Sequence, residues 1–338
     1  MATRELVDLH AIEAAREVIA GRVHRTPLLS STAAAAVMAG VLGVQPGGDR
    51  LYLKAEHLQK TGSFKPRGMT ARVAALSAAE RECGIITVSA GNAAQGYAYA
   101  GAAIGVPVTV VMPAAAVRSK AEAAAGYGAR VVLEGEAMDE TFAALDRIRE
   151  EEGLLYCHPF DDPLVVAGHG SIGLEILEDL PDVDVGQVLD IGGGGLISGV
   201  AAALKERRPS VRVYGVEPIG SEAITVALAA GEPVRIQPTS VADGLNAPFA
   251  GELTLAMIQR YVDEVVLVDD ATILAGLRFA LARLKQVLEP AGSAALGATL
   301  AGRIPIRDGE RVAIVLSGGN VEVTRLGELI ERAAVIPA

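Results

Sequence analysis

Thr61-Gly62-Ser63-Phe64-Lys65-Pro66-Arg67-Gly68 is the stretch on which the reading of this chain turns. It follows an alternating run, Leu51 to Glu56, with the period of a strand. It precedes an alanine-rich amphipathic segment, Met69 to Glu80, with the period of a helix. Pro66 suits the first helical position, where no N–H is needed. Lys65 then falls at the N-cap, against the positive end of the helix dipole. That field, together with partial burial, favours the neutral amine. A neutral lysine amine is a nucleophile able to form a Schiff base with an aldehyde. The competing reading is a surface lysine in a turn, the reading also given to Lys54 and Lys60.

Outward from this unit, strand and helix alternate. Apolar, β-branched runs at 84–89, 106–112, 130–133, 188–191, 211–217, 265–268 and 311–316 read as strands, with a short one at 154–156. Helical periodicity covers 5–20, 30–41, 92–104, 117–127, 138–151, 164–179, 196–207, 222–229, 252–260, 271–287 and 293–301. Arg25 to Leu29 reads as an extended turn, because Pro27 biases Thr26 away from helix. Residues 232–250 show little periodicity. The alternation predicts an α/β layer structure with mostly parallel, open twisted sheets flanked by helices.

The chain has 338 residues, which predicts two lobes. Hydrophobic residues make up 51%, enough for a large core. The formal net charge of −11 argues against a nucleic-acid partner, which calls for a basic face. The two cysteines, Cys83 and Cys157, form neither a disulfide framework nor a zinc motif. Met1 to Glu17 is charged and amphipathic and lacks a signal-peptide core. No apolar run is long enough to span a membrane. A cytoplasmic enzyme fits these features.

Two further strand-to-helix corners carry polar groups or bare backbone. At Ser89-Ala90-Gly91-Asn92, Gly91 permits a tight turn and free N–H groups at a helix start can hold a carboxylate. Ordinary capping by Ser89 or Asn92 is the alternative. At Gly192-Gly193-Gly194-Gly195-Leu196, four glycines are costly in backbone entropy. Such a loop suits close approach to a phosphate with a helix dipole behind it. It fits neither GxGxxG nor the Walker pattern. Glu217 ends a strand about twenty residues on, which keeps a nicotinamide reading open. Ser317, in Ser317-Gly318-Gly319-Asn320, ends another strand, where α/β proteins place ligands. His10, His24, His57, His158 and His169 have no spacing that suggests a metal or a triad.

Taken together, the corners give the chain its resemblance. It resembles the pyridoxal-phosphate-dependent serine/threonine dehydratases (threonine ammonia-lyases) and their relative serine racemase, from His24-Arg25-Thr26-Pro27 to Ser317-Gly318-Gly319-Asn320. Lys54 to Lys65 is the most specific segment. Ala242-Asp243-Gly244 and Glu289-Pro290-Ala291-Gly292 also match. The resemblance implies the tryptophan-synthase-β type of fold. Its large lobe would hold residues 1–76 and 158–338, with a mobile small lobe at 77–157. It implies that Lys65 carries pyridoxal 5'-phosphate as a Schiff base and moves the substrate Cα proton. Phe64 would pack on the ring and Asn92 would meet the ring hydroxyl. Gly192, Gly193, Gly194, Gly195 and Leu196 would hold the phosphate, and Ser317 would meet the pyridine nitrogen. Gly244 and Glu289 would complete the cofactor set. Ser89, Ala90, Gly91 and Asn92 would take the substrate carboxylate. A neutral hydroxyl such as Ser317 makes the ring a weak electron sink, which favours prompt loss of a β-hydroxyl. The implied reaction is β-elimination from L-threonine, L-serine or a related β-hydroxy amino acid, giving an α-keto acid and ammonia. The bound phosphate is the implied acid for the leaving hydroxyl. A homodimer is implied.

The chain departs from the family at several positions. Racemases of this group carry a serine where this chain has Ala90, which argues against racemisation. Many relatives have histidine where Ala93 stands, which opens the question of a larger substrate. In relatives with a divalent-cation site, one ligand matches Glu217, but a second falls at Ala223; Glu222 is a substitute. Nothing is left after about residue 335 for a regulatory domain. A racemase, a β-replacement synthase and a nucleotide-binding oxidoreductase are the alternatives weighed.

Overall fold

The computed structural model describes residues 5–336. The helix expected over 5–20 forms as α1 (Leu9–Ile19), capped by the Asp8 side chain, which accepts the Ala11 N–H; residues 1–4 of the amphipathic run Met1 to Glu17 lie outside the described residues. Next come β1 (Leu28–Ser31), α2 (Thr32–Leu42), β2 (Leu51–Lys54), α3 (Pro66–Ala74) and α4 (Ala78–Cys83). The extended turn expected at 25–29 thus leads into a strand, and Ser31 closes that strand while capping α2 through the Ala34 N–H.

An alternating run follows: β3 (Ile85–Val88), α5 (Asn92–Ile104), β4 (Val108–Met112), α6 (Arg118–Gly126), β5 (Arg130–Leu133), α7 (Met138–Glu152) and β6 (Leu155–Tyr156). These four strands form one all-parallel sheet in the order β5-β4-β3-β6. Every residue of β3 and β4 is buried, as helices on both faces require.

The chain then runs through α8 (Pro163–Asp179), β7 (Val185–Asp190), α9 (Gly195–Arg207), β8 (Arg212–Pro218), α10 (Ala223–Ala230), α11 (Glu252–Tyr261) and β9 (Glu264–Val268). It closes with α12 (Asp270–Phe279), α13 (Pro290–Leu300), β10 (Val312–Val315) and α14 (Val323–Arg332). The second sheet has six strands in the order β1-β2-β10-β7-β8-β9. Only β1 is antiparallel to its neighbour. Both ends of the chain contribute to this sheet. β10 lies between β2 and β7, so the last strand is central rather than at an edge.

The helix expected over 69–80 is two helices. Ser77 accepts the Glu80 N–H while Glu80 accepts the Ser77 N–H, a capping box that starts α4 afresh. The helix expected over 271–287 ends in a wider turn, Ala280–Leu284, and Lys285 turns left-handed at φ +60°. α14 was not expected.

The surface reading of Lys54 is also corrected. Lys54 is fully buried, and its Nζ lies 2.6 Å from Glu175 Oε2 and 2.6 Å from the Thr26 carbonyl. Strand β2 carries it inward, toward a cluster centred on Arg67. Arg67 is fully buried on α3 and makes paired bonds to two carboxylates. Its Nε and Nη2 donate to Glu56 at 2.8 Å each, and its Nη1 and Nη2 donate to Glu175 at 2.7 and 2.9 Å. Ser171 and the His24 carbonyl take further N–H bonds. Burial alone would raise the Glu56 carboxyl, but Arg67 and Lys54 outweigh it and hold it below its ordinary value. The cluster ties α3 to α8 and to the strand end at Lys54. The crossing is close because neither Gly68 nor Gly168 has a side chain: a Cβ on Gly168 would lie 2.5 Å from the Arg67 carbonyl oxygen.

Arg67→Met leaves Glu56 buried without its cation and Glu175 with Lys54 alone, and the expected cost is about 3–5 kcal/mol. Urea unfolding of the cofactor-free protein measures it. Arg67→Lys does not restore the loss, because an ammonium cannot make two paired contacts. The Glu56 contribution is fully present above the ordinary carboxyl range. It is lost as pH falls through the lowered folded value, so the Arg67→Met penalty shrinks in acid.

Candidate active site

The segments that follow β2 and β10 pair with each other beside Lys65, and α5, which follows β3, packs on it. Lys65 is the N-cap of α3 and Pro66 is its first residue, as the sequence predicts. The amine makes no hydrogen bond or ion pair among the described residues. It lies 4.8 Å from the centroid of the Phe64 ring. Burial pushes its pKa down to about 8, with Glu289 opposing the shift. Phe64 is half-buried and meets His169 edge-on at 4.7 Å. α5 packs directly on the lysine: a Cβ on Gly96 would sit 3.0 Å from Lys65 Cβ.

Ser317 follows β10, and its carbonyl accepts the Phe64 N–H at 3.1 Å. Ser63 pairs with Gly318 as an isolated bridge. The segment before Lys65 is thereby fixed to the segment after β10. Ser317 Oγ donates to Asp190 Oδ2 at 2.8 Å.

Asn92 is the first residue of α5. Its Nδ2 donates to Glu289 Oε1 at 2.5 Å, and its Oδ1 accepts from Asn320 Nδ2 at 2.8 Å. Asn320 also donates to the Thr61 carbonyl at 2.7 Å. Glu289 is the residue before α13 and makes no side-chain bond to that helix, and its Oε2 is buried with no hydrogen-bond partner among the described residues. Burial pushes the Glu289 carboxyl up to about 7. The start of α5, the head of α13 and the segment after β10 therefore meet at one amide.

The alternative weighed for this corner, capping of α5 by Ser89 or Asn92, is not what forms. Gly91 is the N-cap, without a side-chain bond to the helix, and Ser89 Oγ instead accepts the Gly91 N–H at 3.1 Å. Ala90 lies in the same turn.

The glycine run leads from β7 into α9. Gly194 is the N-cap at φ +92°, a conformation that suits glycine. Among the described residues, no protein acceptor takes the N–H groups of Gly192, Gly193, Gly194, Gly195 or Leu196. Five consecutive free donors at a helix start form an anion site. The run is also walled in: a Cβ on Gly193 would lie 2.5 Å from the Phe160 ring, and one on Gly192 would lie 3.3 Å from the Gly244 carbonyl oxygen. Thr254, which the sequence did not single out, fixes the loop by donating to the Gly193 carbonyl at 2.8 Å.

Glu217 does not stand in a ligand set. Its two oxygens accept the Ile224 and Thr225 N–H groups at 2.7 and 2.9 Å, and the Thr225 hydroxyl at 2.6 Å. It caps α10, and Glu222 is the residue before that helix. Among the described residues, no group of three or more His, Cys, Asp or Glu could hold a metal ion.

An unpaired, pKa-lowered lysine and a cradle of bare N–H groups fit an aldehyde that carries a phosphate. Comparison with known proteins agrees. The chain is 42% identical over 332 residues to the L-threonine ammonia-lyase of Thermotoga maritima, covering 98% of this chain and 80% of that protein. It is 37% identical over 318 residues to the catabolic L-threonine dehydratase of Escherichia coli K12, covering 93% of each. Among solved structures, maize serine racemase superposes with a TM-score of 0.88 at 33% identity, covering 97% of this chain and 98% of that one. The processed form of threonine deaminase isoform 2 from Solanum lycopersicum superposes at 0.85 with 34% identity, covering 96% and 87%. The model of the pyridoxal-phosphate dependent enzymes matches residues 19–318, and the chain belongs to that family.

Proposed function

We propose that the protein is a lyase that removes water and then ammonia from L-threonine, L-serine or a related β-hydroxy amino acid. The observation that carries this reading is the Lys65 amine, unpaired among the described residues, 4.8 Å from the Phe64 centroid and pushed toward its neutral form by burial. The L-threonine ammonia-lyases and dehydratases among its relatives support the substrate class.

Pyridoxal phosphate, when bound, supplies an aldehyde for an amine and a ring that withdraws electrons from an attached amino acid's Cα. The residues proposed to hold it are Lys65 at the aldehyde, Phe64 at the ring face and Asn92 at the ring hydroxyl. Gly192 to Leu196 would grip the phosphate, Gly244 and Glu289 would flank it, and Ser317 would meet the ring nitrogen. The turn N–H groups at Ser89, Ala90, Gly91 and Asn92 would bind the substrate carboxylate. They would orient the Cα–H bond toward Lys65. Lys65 Nζ, when free and neutral, would take the Cα proton. The β-hydroxyl would leave as water with a proton that the cofactor's phosphate would supply, and the released enamine would tautomerise and hydrolyse in water to an α-keto acid and ammonia. The proposal includes a mobile unit at 77–157 against 1–76 and 158–338. The four-stranded sheet, confined to residues 85–156, supports that division. It also includes a cytoplasmic homodimer, which sedimentation and cell fractionation test. No helix among the described residues is long and apolar enough to cross a membrane.

A second reading, amino-acid racemisation, is favoured by the close superposition on maize serine racemase. Ala90, with no proton to offer, weighs against it.

Incubation of the cofactor-loaded protein with L-threonine is expected to release ammonia and 2-oxobutanoate in equal amounts. D-threonine-type products without ammonia would sink the lyase reading. Lys65→Ala is expected to lower kcat by about 10³-fold or more, the scale of a lost proton-transfer group together with covalent attachment.

Cofactor loading should follow the titration of Lys65. The loading rate is expected to rise with pH and level off above about 8, where the amine is already neutral. Glu289→Gln removes the negative charge that opposes the shift, so the plateau moves to lower pH. Stopped-flow absorbance checks both.

A further inference from the structure

Asp190 is a carboxyl side chain at the end of β7, and it is 3% exposed. It precedes the glycine run by two residues. Its Oδ1 accepts the Ala295 N–H of α13 at 2.5 Å, and its Oδ2 accepts the Ser317 hydroxyl at 2.8 Å. No Lys, Arg or His makes an ion pair with it among the described residues. The titratable group that faces it is the Glu289 carboxyl, at the head of α13, which repels its negative form. Burial, only partly offset by the Ser317 and Ala295 bonds, pushes Asp190 up to about 7.

A serine hydroxyl has one proton to give. When Ser317 gives it to an Asp190 carboxylate, only its lone pairs are left for a ligand, and they can meet only a donor. When Asp190 is protonated, it donates to Ser317 Oγ, and the serine proton is free for an acceptor. The two states differ by the transfer of a single proton through the hydroxyl.

We propose that Asp190 is a positioning residue that exchanges a proton with the cofactor's ring nitrogen through the Ser317 hydroxyl. In one state Asp190 holds the proton and Ser317 donates to a bare nitrogen. In the other, Asp190 is a carboxylate, Ser317 donates to it, and the protonated nitrogen donates to Ser317 Oγ. The pair thus lets a neutral serine support a protonated, strongly electron-withdrawing ring. The inference rests on the placement of Ser317 at the ring nitrogen, and the experiment separates the two.

The protein is loaded with cofactor labelled with nitrogen-15 in the ring, and the nitrogen chemical shift is followed from acid to alkaline pH. In the wild type the signal is expected to move between the protonated and bare pyridine positions. In Asp190→Asn it is expected to stay at the bare position, with the nitrogen's titration lowered by more than about two pH units, the size of one close charge interaction. Ser317→Ala should behave alike. An Asp190→Asn signal that matches the wild type at every pH overturns the proposal, since a merely structural aspartate would leave the nitrogen unmoved. Borohydride reduction and peptide mapping report separately on Lys65. An adduct with an unchanged nitrogen signal refutes the relay alone, whereas no adduct removes the site reading and the relay with it. Should Asp190→Asn not fold, infrared spectra of wild-type protein with carbon-13 aspartate decide. A carboxyl band that shifts on cofactor loading supports the relay, and one that does not overturns it.

Discussion

A guanidinium buried between two carboxylates is the constraint on which the rest of this structure depends. Arg67 sits two residues beyond Lys65, at the start of the same helix. Its bonds to Glu56 and Glu175 fix that helix in rotation and in depth. Lys54 balances the second carboxylate, so the cluster is neutral overall: two cations against two anions. Ion clusters of this kind contribute little net stability compared with an apolar core. What this one does is exclude alternative placements, because any rotation of α3 would leave a charge unpaired in a dry interior. The amine at the head of the helix is held in position by that exclusion, although it has no bond of its own.

Much of the fold was legible in the sequence because both sheets are mostly parallel and covered on both faces. Buried parallel strands must be apolar throughout, so Ile85–Val88 and Val312–Val315 announce themselves. The corners that carry chemistry were legible for a related reason. Bare glycine at 192–195 and a proline after Lys65 are local violations of ordinary sequence preference. What was not legible depends on contacts distant in the chain. Lys54 reads like any strand lysine until Glu175, 121 residues away, is brought beside it. The break after Ala74 was visible as a Ser-x-x-Glu box, but the alanine periodicity running through it hid the new start. α14 has strong amphipathic character and was passed over because no strand follows it to complete the alternation.

The candidate site shows the same division. Lys65, Asn92, Ser317, Glu289 and the glycine run were all named from the sequence, and the fold gathers them. Asn320, Thr254 and Asp190 were not given roles. Asn320 lay inside a motif read only for its serine, yet it holds Asn92 by its amide. Thr254 sits 61 residues from the glycine carbonyl it bonds, and no local pattern links the two. Asp190 lay unremarked inside the run 188–191 read as a strand. Only the adjacency of β7 and β10, one formed from the middle of the chain and the other from its end, puts its carboxylate against Ser317.

One contact between the two sheet units has a mechanical meaning. Lys120, on α6, lies 2.6 Å from Asp243, which Arg325 on α14 also holds at 3.2 Å. Asp243 is next to Gly244, whose carbonyl backs the glycine run. The cleft beside this clasp is lined by Glu289 and Asn320. Any parting of the two sheets along this cleft would have to unfasten an ammonium from a carboxylate that is rooted one residue from Gly244. Lys120 and Asp243 are only 11% and 30% exposed, so dissolved salt would weaken the clasp without dissolving it, and the join between the two sheets would tighten as the solution is diluted.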